Sequence, residues 1–149
     1  MSTAAFVLGL LALVTSVVSV SWQVWTWRYG GPVVRVTTSF GYTFEPDMEF
    51  IVVTVSNAGR SPVTVTGYGL ALPNEGGNFV PLRPPPFTPA TPYRLEGGAE
   101  VSFHMLRPEV ERTVARDCGG VADLKPYATL GTGQTAKAKK PLRITARTR

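Results

Sequence analysis

The first pattern along the chain is a long run of apolar residues without a charged side chain, from Ser2 to Trp27. It predicts a helix over roughly Thr3 to Trp27, and at about 1.5 Å per residue such a helix exceeds the ~30 Å hydrocarbon core of a bilayer. A Gly-Gly-Pro sequence at residues 30–32 then predicts its end. Residues 1–31 are therefore predicted to form a transmembrane anchor. Aromatic and cationic side chains that favour the headgroup boundary cluster near its end, namely Trp22, Trp25, Trp27, Arg28 and Tyr29.

Two other interpretations of this run stay open, a cleaved signal peptide and a buried core helix. The sequence Ser19-Val20-Ser21 offers small residues at cleavage spacing, but no Lys or Arg precedes the run. Because a signal peptide normally begins with a positive region, we favour a retained anchor. Arg28 and Arg35 follow the run. Since cations that flank a span favour the cytoplasmic side, they favour a cytoplasmic over an extracellular domain.

From residue 33 onward the pattern changes to short runs rich in β-branched residues, separated by Gly, Pro and Asn, which is typical of strands and turns. Met48–Ser56 is apolar on both alternating faces, which predicts a central strand. Pro108–Asp117 has an early proline, apolar residues four apart and a late arginine, which predicts one short helix. The predicted strands are Val33–Phe40, Met48–Ser56, Val63–Thr66, Leu70–Leu72, Phe79–Val80, Glu100–Leu106, Lys125–Leu130 and Gln134–Lys139.

This number and spacing of strands predict a mainly β fold, an immunoglobulin-like antiparallel β-sandwich over residues 32–140, with one short helix and the N-terminal transmembrane helix before it. The order of motifs also resembles a known group. A Gly-Pro follows the tryptophan-rich anchor, then NAGRSPVTV at Asn57–Val65 and LEGG at Leu95–Gly98. Together they resemble uncharacterised membrane-anchored sandwich proteins of actinobacteria and their phages. The resemblance covers most of the chain and implies the fold and the anchoring, but its turn and strand motifs imply no activity.

The formal charge of +5 is concentrated at the C-terminus of this 149-residue chain, which has room for one ordinary domain and an appendage. The last thirteen residues carry six cations and no acid, which leaves residues 1–136 at −1. We predict residues 141–149 as a basic tail, either an edge strand protected by charge or a flexible arm. The candidate contacts for anionic lipid or a protein partner are Lys137, Lys139, Lys140, Arg143, Arg147 and Arg149. Nucleic acid is a poorer partner, because no aromatic residue follows Tyr127 for base stacking.

Few residues offer catalytic or metal chemistry. His104 is the only histidine and Cys118 the only cysteine, so neither a multi-histidine metal site nor an intrachain disulfide can form. We predict a surface or edge histidine and a small structural cysteine, the latter at the C-terminal end of a helix, where the dipole disfavours a thiolate. Two acidic sets, Asp117 with Asp123 and the acids at 45, 47 and 49, lack the dense oxygen spacing of a calcium loop. We therefore predict no catalytic residue, metal or cofactor.

A proline-rich segment follows the Arg-x-x-Pro-x-x-Pro spacing of polyproline ligands, through Arg83, Pro86 and Pro89. The match is short and common by chance, so we favour a stiff connection between strands over a docking peptide.

These patterns favour a single-pass, membrane-anchored β-sandwich that binds or assembles with a protein partner and is not an enzyme. Two alternatives remain: a phage-encoded envelope protein that modifies infection of the host, and an exported envelope enzyme with an unrecognised site.

Overall fold

A computed structural model of the protein describes residues 3–44, 47–73 and 77–146, with the side chains of residues 28, 29, 44 and 47 excepted. The chain forms two compact units, Met1–Gly31 and Pro32–Arg149. Helix α1, Thr3–Tyr29, occupies the first unit and confirms the predicted N-terminal helix. Over Thr3–Trp27 its mean hydropathy is 2.3, so it is long and apolar enough to cross a membrane.

The second unit is built from strands, as the short β-branched runs predict. In its described part the elements are β1 (Val34–Phe44), β2 (Asp47–Asn57), β3 (Val63–Ala71), β4 (Asn78–Phe79), β5 (Tyr93–Leu95), β6 (Glu100–Leu106), α2 (Arg107–Asp117), β7 (Val121–Leu130), β8 (Thr135–Lys137) and β9 (Leu142–Thr145).

The strands form two antiparallel sheets. The first sheet has the order β1-β2-β6, and the second has the order β4-β3-β7-β8, with β5 added to β3 and β9 added to β7. The chain therefore passes from one sheet to the other after β2, after β5 and after β6, as it does repeatedly in immunoglobulin-like domains. The predicted mainly β antiparallel sandwich is confirmed, and β2 is the central strand of its sheet as expected.

The core lies between the two sheets. Ile51, Val53 and Val55 are completely buried on one face of β2, and the alternating buried residues of β6 continue that face. From the second sheet, Tyr68 stacks on Phe103 of the first at 4.4 Å between ring centroids. Alternation therefore places one face of each strand inside, and this burial is the main stabilising term of the domain.

Helix α2 connects the two sheets and is held to them at its first turn. Its buried residues Val110 and Val114 pack against the core. At its start, Arg107 forms ion pairs with Glu49 of β2 at 2.8 Å and with Glu111 at 2.7 Å. The guanidinium also lies 5.3 Å from the centroid of the Phe40 ring. Because these groups are partly buried, this cluster fixes the helix to the end of the first sheet more firmly than a surface pair would.

Within the predicted basic tail over 141–149, residues 142–145 form strand β9 and pair with β7. Leu142 and Ile144 are buried, whereas Arg143 and Thr145 are exposed. The alternating apolar residues can be buried only if the strand joins the sheet, so the edge-strand alternative holds here. Strand β7 also begins at Val121 rather than at the predicted Lys125, because β9 extends the pairing toward that end.

Candidate functional site

Helix α1 is long and apolar enough to cross a membrane. Its apolar residues surround the helix on every side instead of forming one stripe, and its side chains are exposed from residue 3 to residue 27. The hydroxyls of Thr15, Ser21 and Thr26 each donate a hydrogen bond to the carbonyl oxygen four residues earlier, at 2.7–2.9 Å. These three hydroxyls are therefore satisfied within the helix, which lowers the cost of placing them in hydrocarbon.

The predicted interfacial belt lies in the last turns of α1. Trp22, Trp25 and Trp27 are all more than half exposed, and at 3.6 residues per turn their positions point in different directions around the helix. Arg28 and Tyr29 belong to the same helix, but their side chains lie outside the described ones. An aromatic collar of this kind suits a headgroup boundary on all sides of a span.

The predicted basic residues are gathered at one edge of the second sheet. Lys137 ends β8, Lys139 and Lys140 lie in the bend that follows, and Arg143 is on β9. All four are exposed. Arg147 and Arg149 lie outside the described residues. The cations therefore belong to ordered strands and a tight connection, at least as far as β9.

Beside this edge, the outer face of the second sheet carries an open depression of about 610 Å³. Lys125 and Lys137 line it together with Asp123 and Asn78. Two cations and one acid line this depression and offer polar contacts. Its lining residues do not include a nucleophilic side chain next to a general base.

The proline segment, residues 80–92, contains a turn inside the stretch that matches the polyproline spacing. The amide of Thr88 donates to the carbonyl of Pro85 at 2.9 Å, which closes this turn over Pro85–Thr88. A polyproline II helix has no internal hydrogen bonds, so Arg83, Pro86 and Pro89 do not line one face of such a helix. The segment instead crosses the edge of the sandwich as a stiff connection.

His104 lies on β6, an edge strand, as predicted, but it is partly covered. The Phe87 ring packs edge-on against its imidazole at 5.0 Å and against Phe50 at 5.1 Å. Burial lowers the pKa of His104. Its Nδ1 is buried without a hydrogen-bond partner among the described residues. The ring therefore packs as a neutral, largely apolar group, whereas a general base needs an oriented partner.

The remaining candidates for chemistry are engaged in packing or in ion pairs. Cys118 follows α2 and packs against the core, with its amide donating to Val114. The carboxylate of Glu49 pairs with Arg107, and the Arg116 hydrogen bond lowers the pKa of Asp117. Within the described residues, no group of three or more His, Cys, Asp or Glu residues could hold a metal ion. Glu45 lies outside the described residues.

Sequence reasoning missed Asn57, the only buried polar side chain among the described residues. Its Oδ1 accepts from the amides of Val33 and Gly59 at 3.2 and 3.1 Å. Its Nδ2 donates to the carbonyls of Ser61 at 2.8 Å and Leu95 at 3.5 Å. One side chain thus joins the start of the domain, the β2–β3 turn and β5. An asparagine that ends an apolar strand before Ala-Gly is the only signal for it in the sequence.

The same junction explains why two distant motifs occur together. A Cβ on Gly97 would lie 2.6 Å from the carbonyl oxygen of Arg60 and 2.8 Å from that of Gly59. The LEGG and NAGRSP segments therefore fit against each other only with glycine at this position. Their joint presence reflects the packing of two turns and carries no chemistry.

No protein-family model and no curated protein matches this chain.

Proposed function

We propose that the protein is a single-pass, membrane-anchored β-sandwich module that binds a partner and has no catalytic activity. The observation that carries the proposal is α1, which is apolar on all sides, exposed along its length and internally hydrogen-bonded. A helix with these properties is stable where hydrocarbon surrounds it. The tryptophans near its C-terminal end support a membrane boundary there.

Binding fits the second unit better than catalysis does. His104 is packed against two aromatic rings, Cys118 lies at the end of α2, and Glu49 is held by Arg107. Nucleophilic and acid–base catalysis need such groups within hydrogen-bond reach of one another. A rigid sandwich with loops and strand edges is a common carrier of binding surfaces.

The cell membrane is the location that this proposal requires, and Arg28 and Arg35 favour a cytoplasmic domain. The resemblance to membrane-anchored sandwich proteins of actinobacteria and their phages supports the same assignment. A more specific version of this proposal is a phage-encoded envelope protein that modifies entry into the host.

Membrane fractionation of cells that express the full chain tests the anchor. We expect the wild-type protein at full mass in the membrane fraction after alkaline extraction. The double substitution Leu10→Arg and Leu13→Arg should release or destabilise it, because each mid-span arginine costs about 2.5–3.5 kcal/mol on insertion.

The matched control places arginine at two exposed apolar residues of the domain, Val80→Arg and Leu82→Arg, and should stay with the membrane. Intact wild-type protein in the soluble fraction would refute the anchor. Recovery of a shortened chain that begins near Ser21 would instead identify a cleaved signal peptide.

A further inference from the structure

The edges of the two sheets differ in their protection against pairing with another strand. At one edge of the second sheet, β4 and β5 have two and three residues. At its other edge, β8 and β9 have three and four residues and carry Lys137 and Arg143. Short, charged edge strands are a common protection against unwanted pairing.

The β6 edge of the first sheet is covered by the proline segment. The hydroxyl of Thr88 donates to the carbonyl oxygen of His104 at 3.5 Å. The ring of Phe87 lies against the His104 imidazole beside this contact. A strand that approached β6 would have to displace this segment.

Among the described residues, strand β1 has neither form of protection over residues 34–41. It is eleven residues long and, in the described part of the chain, pairs only with β2. It contains no proline, and Arg35 is its only charged residue. Long, uncovered edges of this kind are templates for strand addition, in which the backbone provides affinity and alternate side chains provide specificity.

The hydrogen-bond pattern identifies the backbone groups that face outward from β1. Asn57 bonds through its backbone to Ala99 and Gly98, so it faces the β6 side. Because the direction alternates along a strand, Val52 faces β1, where the register pairs it with Ser39. Ser39 therefore faces β2. The residues whose amide and carbonyl groups point to the open edge are Val34, Val36, Thr38 and Phe40.

The surroundings of this edge are positively charged. Strand β8 lies beside β1 across the sandwich. The exposed cations on these two strands and in the bend after β8 are Arg35, Lys137, Lys139 and Lys140. Neither β1, β8 nor the bend at 138–141 contains an acid. A strand added to β1 would thus be favoured by acidic side chains.

We propose that the open edge of β1 binds an extended, acidic segment of a protein partner as an added strand. The proposal rests on the proposed function, because it names the partner of the anchored module. The segment pairs with the outward groups of residues 34–40 and packs its apolar side chains near the exposed Phe40 ring. Its alternating acids then lie on the face of Arg35, and the cations of β8 and of the bend after it add to their attraction over a longer distance.

The test uses the full chain in nanodiscs of phosphatidylcholine, whose headgroups carry no net charge. The probe is a fluorescent peptide of about nine residues in which valine and glutamate alternate. We expect saturable binding by fluorescence anisotropy. Methylation of alternate peptide nitrogens, which blocks ladder bonds and keeps the charge, should weaken binding by about tenfold or more. A peptide with lysine in place of glutamate should not bind.

Two variants locate the site. Thr38→Pro removes one outward amide while leaving the β1–β2 hydrogen bonds in place, and should weaken binding by about tenfold at an unchanged melting temperature. Lys139→Glu with Lys140→Glu should weaken binding severalfold. Its matched control, Arg83→Glu with Arg112→Glu, makes the same charge change at exposed positions elsewhere and should bind as wild type does.

Equal binding of the methylated and unmethylated peptides, or full binding by a folded Thr38→Pro variant, would overturn the proposal.

If the Thr38→Pro variant does not fold, hydrogen exchange in the wild-type complex decides the question. Protection of the Val36 and Thr38 amides supports strand addition, and unchanged exchange refutes it. If the protein binds anionic vesicles through Lys139 and Lys140 but does not bind the peptide, the cations serve to bind lipid and the proposal is refuted. If the protein forms a dimer in which the β1 amides are protected from exchange, the edge binds a second copy of the chain, which also refutes the proposal. Failure of the anchor would appear in fractionation, independently of this titration.

Discussion

The side-chain amide of Asn57 forms four hydrogen bonds with backbone groups in the buried interior of the domain. The side chain is 1% exposed, and all its partners are backbone groups from three separate segments. A backbone group that loses its only partner inside a protein costs about 1–3 kcal/mol. One residue therefore has a large effect on a domain that contains no disulfide and depends on burial and hydrogen bonds.

We predict that Asn57→Asp destabilises the domain by about 3 kcal/mol, because the change removes both Nδ2 donors and places a carboxylate against the carbonyls of Ser61 and Leu95. Chemical denaturation of the purified chain measures the free energy of unfolding. Asn78→Asp, the same change at an exposed site on β4, is the control. Equal stabilities of the two variants would show that the Asn57 network contributes nothing.

At the scale of elements, the proline segment is held to β6 chiefly by the aromatic cluster of Phe50, Phe87 and His104. The neutral imidazole suits this apolar contact, and burial lowers the pKa of His104. The unfolded chain, with an ordinary histidine pKa of about 6.5, then takes up a proton at higher pH than the folded chain. Protonation consequently favours unfolding or release of the segment.

We predict that the domain loses stability as the pH falls from about 7.5 to about 5.5, a window above most carboxylate titrations. His104 is the only histidine, so His104→Phe should remove this dependence while keeping the packing against Phe87. Thermal melts across the pH range provide the measurement. A variant that loses as much stability as wild type over this range would exclude His104 as the cause.

Elements whose pattern is local could be predicted from the sequence, and elements defined by a distant partner could not. Strand β6 occupies the predicted Glu100–Leu106, and α2 begins one residue before the predicted Pro108. In both, periodicity within the segment determines the buried face. By contrast, β5 has only three residues and exists because Val63–Val65 pairs with it. No local alternation specifies that contact.

The same distinction applies to the candidate surfaces. Length and hydropathy were sufficient to predict α1, and counting charges found the basic residues. The prolines predicted a stiff connection and left a docking peptide as an alternative, but the turn at Pro85–Thr88 and the contact with β6 depend on the folded sandwich. The open edge of β1 depends on which strands remain unpaired after all others have formed. An open strand edge is a property of the sheet topology, and no sequence motif identifies it.

At the scale of the molecule, the charge is divided unevenly along the chain. Residues 121–149 contain seven cations and one acid, a formal charge of +6, whereas residues 1–120 carry −1. The cations that determine insertion are a different set, because the positive-inside rule depends on residues within about 15–20 positions of a span. Arg28, at the end of α1, and Arg35 are the cations in that range on the C-terminal side of the span.

We predict that the domain lies on the cytoplasmic side. Protease added to intact spheroplasts should leave a C-terminally tagged domain uncut, and permeabilisation should allow its digestion. Substituting Arg28→Glu and Arg35→Glu should increase the fraction of domain that external protease digests. The substitutions remove the cations that keep the C-terminal side of the span in the cytoplasm. Arg60→Glu with Arg83→Glu makes an equal charge change more than about 20 residues beyond the span and should keep the wild-type orientation. Digestion of the wild-type domain in intact spheroplasts would place it outside, where an acidic partner for the β1 edge would have to be a wall or extracellular protein.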